Sequence, residues 1–236
     1  MVRWPSVARK AHKWLALIIG VQALFWVVSG LYMTAVHIDI IHGDHLVRTP
    51  VAEPISMGGL VDPAVIVKNA GGAQSLRLDQ QLGQPVYIVS QAGGRSRFDA
   101  RSGEKLPLVD EAGARQRAEQ IYAGDGGVRE MELLYEIPGE IRGRPAPIWR
   151  VQFEGLWRPT LYISPQTGEL VAKRHDLWRT FDFVWMFHIM DYETRDNVNN
   201  LLLKFATWMM VITSLTGAWL LLYSFRRKRR VRKAAA

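Results

Sequence analysis

Two uncharged apolar runs constrain this chain more than anything else in it. Residues 14–36 (WLALIIGVQALFWVVSGLYMTAV) and 205–225 (FATWMMVITSLTGAWLLLYSF) are 23 and 21 residues long and contain no Asp, Glu, Lys or Arg. As helices each reaches about 30 Å, the thickness of a bilayer's hydrocarbon core. A secretory signal competes for the first run, but its apolar region covers about 7–15 residues and ends at a small-residue cleavage site. This run is longer, so a retained membrane helix is expected. For the second run the competitor is the buried helix of a soluble protein.

Charge is arranged around these runs. Arg3, Arg9, Lys10 and Lys13 precede the first, and Arg226, Arg227, Lys228, Arg229, Arg230, Arg232 and Lys233 follow the second, with no acidic residue in either segment. Removing those eleven from the 30 basic residues leaves 19 against 22 acidic ones, a net of −3 for the remainder. Basic flanks set orientation, so both termini are expected in the cytoplasm and the middle across the membrane. The net charge of +8 therefore points to anionic lipid rather than to nucleic acid. Cysteine is absent, which excludes a disulfide framework, thiolate-held iron–sulfur clusters and covalent c-type haem.

The middle contains a repeat. VDPAVIVKNA (61–70) with PVYIVSQAGGRSRFDARSGEKL (85–106) is matched by VDEAGARQRAEQIYA (109–123) with PIWRVQFEGLWRPTLYISPQTGELV (147–171). Each copy opens on an Asp suited to cap a short helix, Asp62 and Asp110. An alternating apolar strand follows, read from Val86 and Ile88 in the first copy and Ile148, Val151 and Phe153 in the second. Each closes on a turn where Gly103 or Gly168 suits a positive φ. The segment EMELLYEIPGEIRGRPA (130–146) reads as an insertion, a long hairpin or surface loop. Two helix-plus-antiparallel-sheet units in an α+β arrangement are expected.

These residues resemble a known family. PVYIV…FDARSGEKL and PIWRV…YISPQTGELV are similar to the strand-and-turn core of PepSY domains. AHKWLALIIGVQALFWVVSGLYM and WMFHIMDYE…LLLKFATWMMVITSLTGAWLLLYSF are similar to the PepSY-associated transmembrane segments of bacterial inner-membrane proteins. The likeness covers nearly the whole chain and rests on the order of the motifs. It implies an α+β fold with two transmembrane helices flanking a tandem PepSY-like domain in the periplasm. The expected organisation is a cytoplasmic N-terminus (1–13), helix 1 (14–36), an exit turn and linker (37–60), repeat 1 (61–106), repeat 2 (107–173), an interfacial amphipathic segment (174–200), helix 2 (201–225) and a basic cytoplasmic tail (226–236).

The same resemblance implies a component of an inner-membrane redox or iron-uptake system. Larger four-helix relatives include ferric-siderophore reductases that hold b-type haem in the membrane, and others sit beside TonB-dependent uptake systems or flavin reductases. Stand-alone PepSY domains occur in peptidase propeptides as inhibitory or chaperoning modules. With two helices instead of four, this chain completes a haem-bearing bundle only as a homodimer or with a membrane-protein partner. The alternative is a non-catalytic accessory, assembly or peptidase-regulating subunit that binds a protein.

The histidines are the candidate cofactor ligands, because a b-type haem takes neutral imidazoles. His12 stands at the start of the first run, either as an interfacial residue beside Trp14 or as a ligand completed by another copy. His37 lies 25 residues later, about 37 Å along a straight helix, so the two cannot share one haem. His188 follows Trp178, Phe181 and Trp185 at helical spacing and is expected on an aromatic face, where His37 and His188 are candidates for one haem or metal. The stretch HIDIIHGDH (37–45) admits a metal set of His42, Asp44 and His45, or simply a polar exit turn around Gly43. Glu130, Glu132, Glu136 and Glu140 suit a cation, a basic partner or a solvated face. Gln22, the one strongly polar side chain inside either run, is expected to bridge to the second helix, and Ser29, Gly30, Thr213, Ser214, Thr216 and Gly217 to allow close helix approach. G-x-S-x-G, G-x-x-x-x-G-K-[ST] and G-x-G-x-x-G are all missing, which leaves hydrolase, nucleotide-triphosphatase and dinucleotide readings without a foothold.

Overall fold

The structure is a computed structural model that describes residues 4–48 and 54–234. Arg3 and residues 49–53 at the start of the 49–59 linker lie outside the described residues, as do the side chains of the basic tail. In chain order the elements are α1 (Trp4–Ala35), α2 (Ile38–His42), a one-turn 3-10 helix (Asp44–Leu46), α3 (Pro63–Ala70), β1 (Ser75–Gln81), β2 (Gln84–Gln91), β3 (Gly94–Asp99), α4 (Glu111–Ile121), β4 (Val128–Leu134), a second 3-10 turn (Gly139–Ile141), β5 (Ile148–Phe153), β6 (Thr160–Ile163), β7 (Leu170–Arg174), α5 (Asp176–Ile189) and α6 (Leu201–Ala234). They divide into a helical unit, residues 1–37 and 180–236, and a sheet unit, residues 38–179.

The helical unit is built on α1 and α6, which pack together. Both are long and apolar enough to cross a membrane, over Ser6–Ala35 and Leu201–Leu222. Most of their large side chains, such as Leu17, Leu24, Leu31, Leu215 and Leu222, face outward. A helix that is apolar on every side suits lipid, whereas a helix at a water-exposed surface carries a polar face. Small residues bring the pair close: a Cβ at Gly217 would stand 3.0 Å from Cε1 of His12. Hydroxyls here return to their own helix, Thr213 to the Met209 carbonyl at 2.8 Å and Ser29 to Phe25 at 2.6 Å. No buried hydroxyl donor is thereby wasted.

Gln22 departs from expectation. Its Nε2 donates to the carbonyl of Phe187 in α5 at 3.0 Å instead of reaching α6. The reason is that the last carbonyls of a helix have no intrahelical donor. Trp26 Nε1 donates to the next one, His188, at 2.8 Å, and Asn200 Nδ2 to that of Ile189, also at 2.8 Å. Between α5 and α6 the chain folds around Asp191. Its carboxylate accepts from the backbone amides of Glu193, Thr194, Asp196 and Asn197 and from the Thr194 hydroxyl. The Thr194 bond, followed by the amides, holds this carboxyl far below the ordinary carboxylate range. Asn200 then caps α6 by accepting from the Leu203 amide at 2.8 Å.

The sheet unit is mixed helix and antiparallel sheet. Its first half packs α3 on a three-stranded sheet in the order β1-β2-β3, and its second packs α4 on a four-stranded sheet in the order β4-β5-β6-β7. Asp62 and Asp110 cap the two helices, accepting from Ala64 at 2.7 Å and Gly113 at 2.9 Å. Gly103 and Gly168 adopt φ of 75° and 68° at equivalent turns.

Strand faces differ from the sequence reading. The core under α3 is built by Tyr87, Val89 and Phe98, while Val86 and Ile88 are buried on the opposite face. Likewise Val151 and Phe153 meet α4, whereas Ile148 lies on the other side with Ile141, Tyr162 and Ala172. Period-two geometry requires this split, and a central strand covered on both faces shows no polar alternation to reveal it. Residues 130–146 are also not one loop. Their first part completes β4, which pairs with β5 from Val128↔Phe153 to Leu134↔Ile148, so that β4 stands where β1 stands in the first half.

The two halves are joined by polar contacts to backbone. Gln81 Nε2 donates to the Thr167 carbonyl at 2.6 Å and Arg97 to that of Pro107 at 2.9 Å. A Cβ at Gly168 would lie 2.9 Å from Gln81 Oε1. Gly168→Ala combines a left-handed backbone with displacement of Gln81, and is expected to destabilise by about 1–3 kcal/mol. Thermal unfolding of the detergent-solubilised protein measures it.

Candidate functional site

In the helical unit, two imidazoles are held alike. His12 Nδ1 lies 3.0 Å from Thr216 Oγ1 and His188 Nδ1 lies 2.7 Å from Ser29 Oγ. Each hydroxyl already directs its single proton at its own helix, Thr216 toward Ile212 and Thr213, Ser29 toward Phe25 and Trp26. With the hydroxyl protons assigned to those carbonyls, the imidazoles donate from Nδ1 and Nε2 is left as the acceptor. A neutral imidazole oriented through Nδ1 is the state in which histidine ligates a metal or haem iron. His188 also stacks on Trp185, centroids 6.0 Å apart and planes 9° apart, and Trp185 stacks on Phe181. The aromatic face read from the sequence is present.

The ring of His188 meets α1 at Ser29, eight residues before His37 and more than two turns away along the helix. His37 and His188 are held at different levels and are not a facing pair. His12, the other pinned imidazole, sits seventeen residues before Ser29, so each ring can offer one axial nitrogen and no two of them converge on one iron.

In the sheet unit, His42 ends α2, Gly43 turns at φ 73°, and Asp44 and His45 lie in the following 3-10 turn. The Asp44 carboxylate takes the Lys173 ammonium at 2.5 Å, and that bond lowers its pKa. Among the described residues no group of three or more His, Cys, Asp or Glu is arranged to hold a metal ion. The expected metal set of His42, Asp44 and His45 is therefore not assembled among the described residues, and its carboxylate is turned to a lysine. The histidine not singled out from the sequence, His175, is the most enclosed. It is 1% exposed, donates from Nε2 to the Ile40 carbonyl at 2.8 Å and meets His45 edge-on at 5.5 Å. Burial pushes its pKa down, against the opposing effect of the carbonyl.

A second polar cluster escaped sequence reading. Arg179 grips Glu140 through Nε at 2.7 Å and Nη2 at 3.1 Å, Tyr162 donates its hydroxyl to the same carboxylate, and Arg174 bonds the Glu140 carbonyl at 2.8 Å. Arg179 further reaches Asp176 at 3.0 Å, which Arg158 holds through two nitrogens. Burial raises the Glu140 carboxyl, but the Arg179 and Tyr162 bonds outweigh it and leave it below its ordinary range. Burial, then the bond to Glu140, push the Tyr162 phenol up. Glu140 is therefore a fixed anion that anchors its loop to the face of β6. By contrast Glu130 and Glu132 lie on exposed β4 and pair with Arg150 at 2.8 and 2.9 Å.

Comparison with protein-family models, with curated proteins and with solved structures found no match to this chain.

Arg179→Met leaves the Glu140 charge enclosed without its main partner and is expected to cost about 2–3 kcal/mol, most of it recovered when Glu140→Leu is added. Thermal melts of the single and double variants measure both. For His175 the folded pKa is below that of the unfolded chain, so the unfolded state takes up the proton first. Its contribution is complete above about pH 6.5 and declines as pH falls toward the folded value. Melting temperature should fall from pH 7.5 to 5.5, and His175→Gln, which keeps the donor but cannot titrate, should fall less.

Proposed function

We propose that this chain is a PepSY-type component of an inner-membrane redox or iron-uptake system, anchored by α1 and α6 with both termini in the cytoplasm and the sheet unit in the periplasm. The observation that carries the reading is the matched treatment of His12 and His188. Both are hydrogen-bonded through Nδ1 to a hydroxyl of the neighbouring helix, which leaves Nε2 to meet a ligand. A b-type haem held by such nitrogens supplies one-electron transfer. His12 and His188 would each supply one imidazole nitrogen to such a group, and the remaining ligand would come from a second copy of the chain or from a membrane-protein partner. Ser29 and Thr216 fix the ring planes, and Trp185 covers one face of His188.

Protein purified from haem-replete cells should show a Soret band and, on reduction, a split α band. His12→Ala and His188→Ala should each remove part of that absorbance, and Ser29→Ala should weaken haem retention by about 10–100-fold. A colourless protein that also fails to take up added haem overturns the reading.

A second reading, a non-catalytic accessory or peptidase-regulating subunit, is favoured by a polar groove of about 860 Å³ in the sheet unit, lined by Gln74, Arg95, Arg144, Gln166 and Glu169 among others. Under it the colourless protein co-purifies with a stoichiometric partner, and substitutions in the groove release that partner.

A further inference from the structure

We infer that one face of the sheet unit is built to lie on the bilayer, with Leu156 and Trp157 at the tip of the β5–β6 hairpin entering the lipid headgroup region beside Ile38 and Ile40 of α2. The inference rests on the reading of α1 as a membrane span, and then on three features within the sheet unit.

The first is connectivity. Ile38 follows the last residue of α1, Ala35, by three positions, which span at most about 10 Å of extended chain. A chain leaving the bilayer at the end of α1 begins α2 at its surface. Ile38 and Ile40 are 45% and 43% exposed there, an unusual use of isoleucine on a five-residue helix unless something apolar is beside it.

The second is that the hairpin tip is fastened to the same place. His175 and Asp176 are consecutive. His175 Nε2 bonds the Ile40 carbonyl at 2.8 Å, and the Asp176 amide donates to the Trp157 carbonyl at 2.8 Å. Two neighbouring residues thus tie α2 and the tip to one edge of the unit. The same edge is where the chain departs again, because Asp176 opens α5 and α6 begins at Leu201.

The third is the chemistry of the tip. Hairpin loops are ordinarily built from Gly, Pro, Asn, Asp and Ser, yet here EGLWRP places Leu156 at 77% and Trp157 at 46% exposure. Trp157 and Arg158 both adopt positive φ, 70° and 46°, a conformation that costs non-glycine residues energy and persists only where its surroundings impose it. They are imposed by Asp176, whose amide holds the Trp157 carbonyl and whose carboxylate takes Arg158 Nε and Nη2 at 3.0 and 2.8 Å. The arrangement ties the solvent-exposed guanidinium of Arg158 to Asp176 and leaves the two apolar side chains projecting. Tryptophan, with an apolar body and one N–H, is the side chain best suited to the headgroup layer.

The chain has no cysteine, so single-cysteine variants can be spin-labelled without background. Leu156→Cys is the test position. Leu108→Cys, 60% exposed in the sheet unit, serves as the aqueous reference, and Leu24→Cys, 62% exposed on α1, as the lipid reference. Each is labelled in the full chain, reconstituted in nanodiscs of phosphatidylethanolamine and phosphatidylglycerol, and its access to oxygen and to a water-soluble nickel chelate is measured by power saturation. The label at 156 should read a depth of about 5–10 Å into the headgroup and acyl boundary, with 108 in water and 24 deepest. If 156 is as open to nickel as 108 while 24 reads lipid, the inference fails and the tip is left for a protein partner. If 24 also reads water, the membrane reading of α1 fails with it.

Discussion

The end of α5 governs the helical unit. A helix cannot satisfy its own last carbonyls, and where water is scarce other donors must. Here three successive carbonyls, of Phe187, His188 and Ile189, are met by Gln22 and Trp26 of α1 and by Asn200 at the start of α6. Those bonds set the position of α5 against α1, and with it the level at which the His188 ring finds Ser29. Through Asn200 they also fix where α6 begins. The polar residue in the middle of an apolar run is thereby explained: Gln22 is there to close a neighbouring helix.

Polar side chains elsewhere are likewise committed within the chain, but with different results. Glu140 is surrounded by donors and is held as a permanent anion, so it does structural work and has no proton to exchange near neutral pH. Among the described residues, His12 and His188 are each hydrogen-bonded by a side chain at Nδ1. That contrast directs attention to the helical unit as the place where chemistry is available, and to the sheet unit as one that presents surfaces.

Much of this was legible in the sequence for identifiable reasons. The two apolar runs, the capping aspartates, the glycine turns and the aromatic face of α5 are local signals, each decided by residues within one turn or one hairpin. What escaped depends on partners distant in the chain. Glu140 and Arg179 are 39 positions apart, and His175 finds its acceptor 135 positions away at Ile40. The double-sided burial of β2 hid which of its residues faced α3. Residues 130–146 stayed open between a long hairpin and a surface loop because the charges on β4 obscured an alternation in which Met131 and Leu133 pack inward toward α4, and a hairpin with β5 is what forms.

Those charges on β4 have a use of their own. The strand lies at the outer edge of its sheet, where unpaired amides and carbonyls invite another chain to add on. Glu130 and Glu132 stand exposed along it, and the register shifts between Val128 and Glu130. A second copy pairing edge to edge would bring like charges together on an irregular strand. A forbidding border of this sort keeps neighbouring copies from fusing into a common sheet.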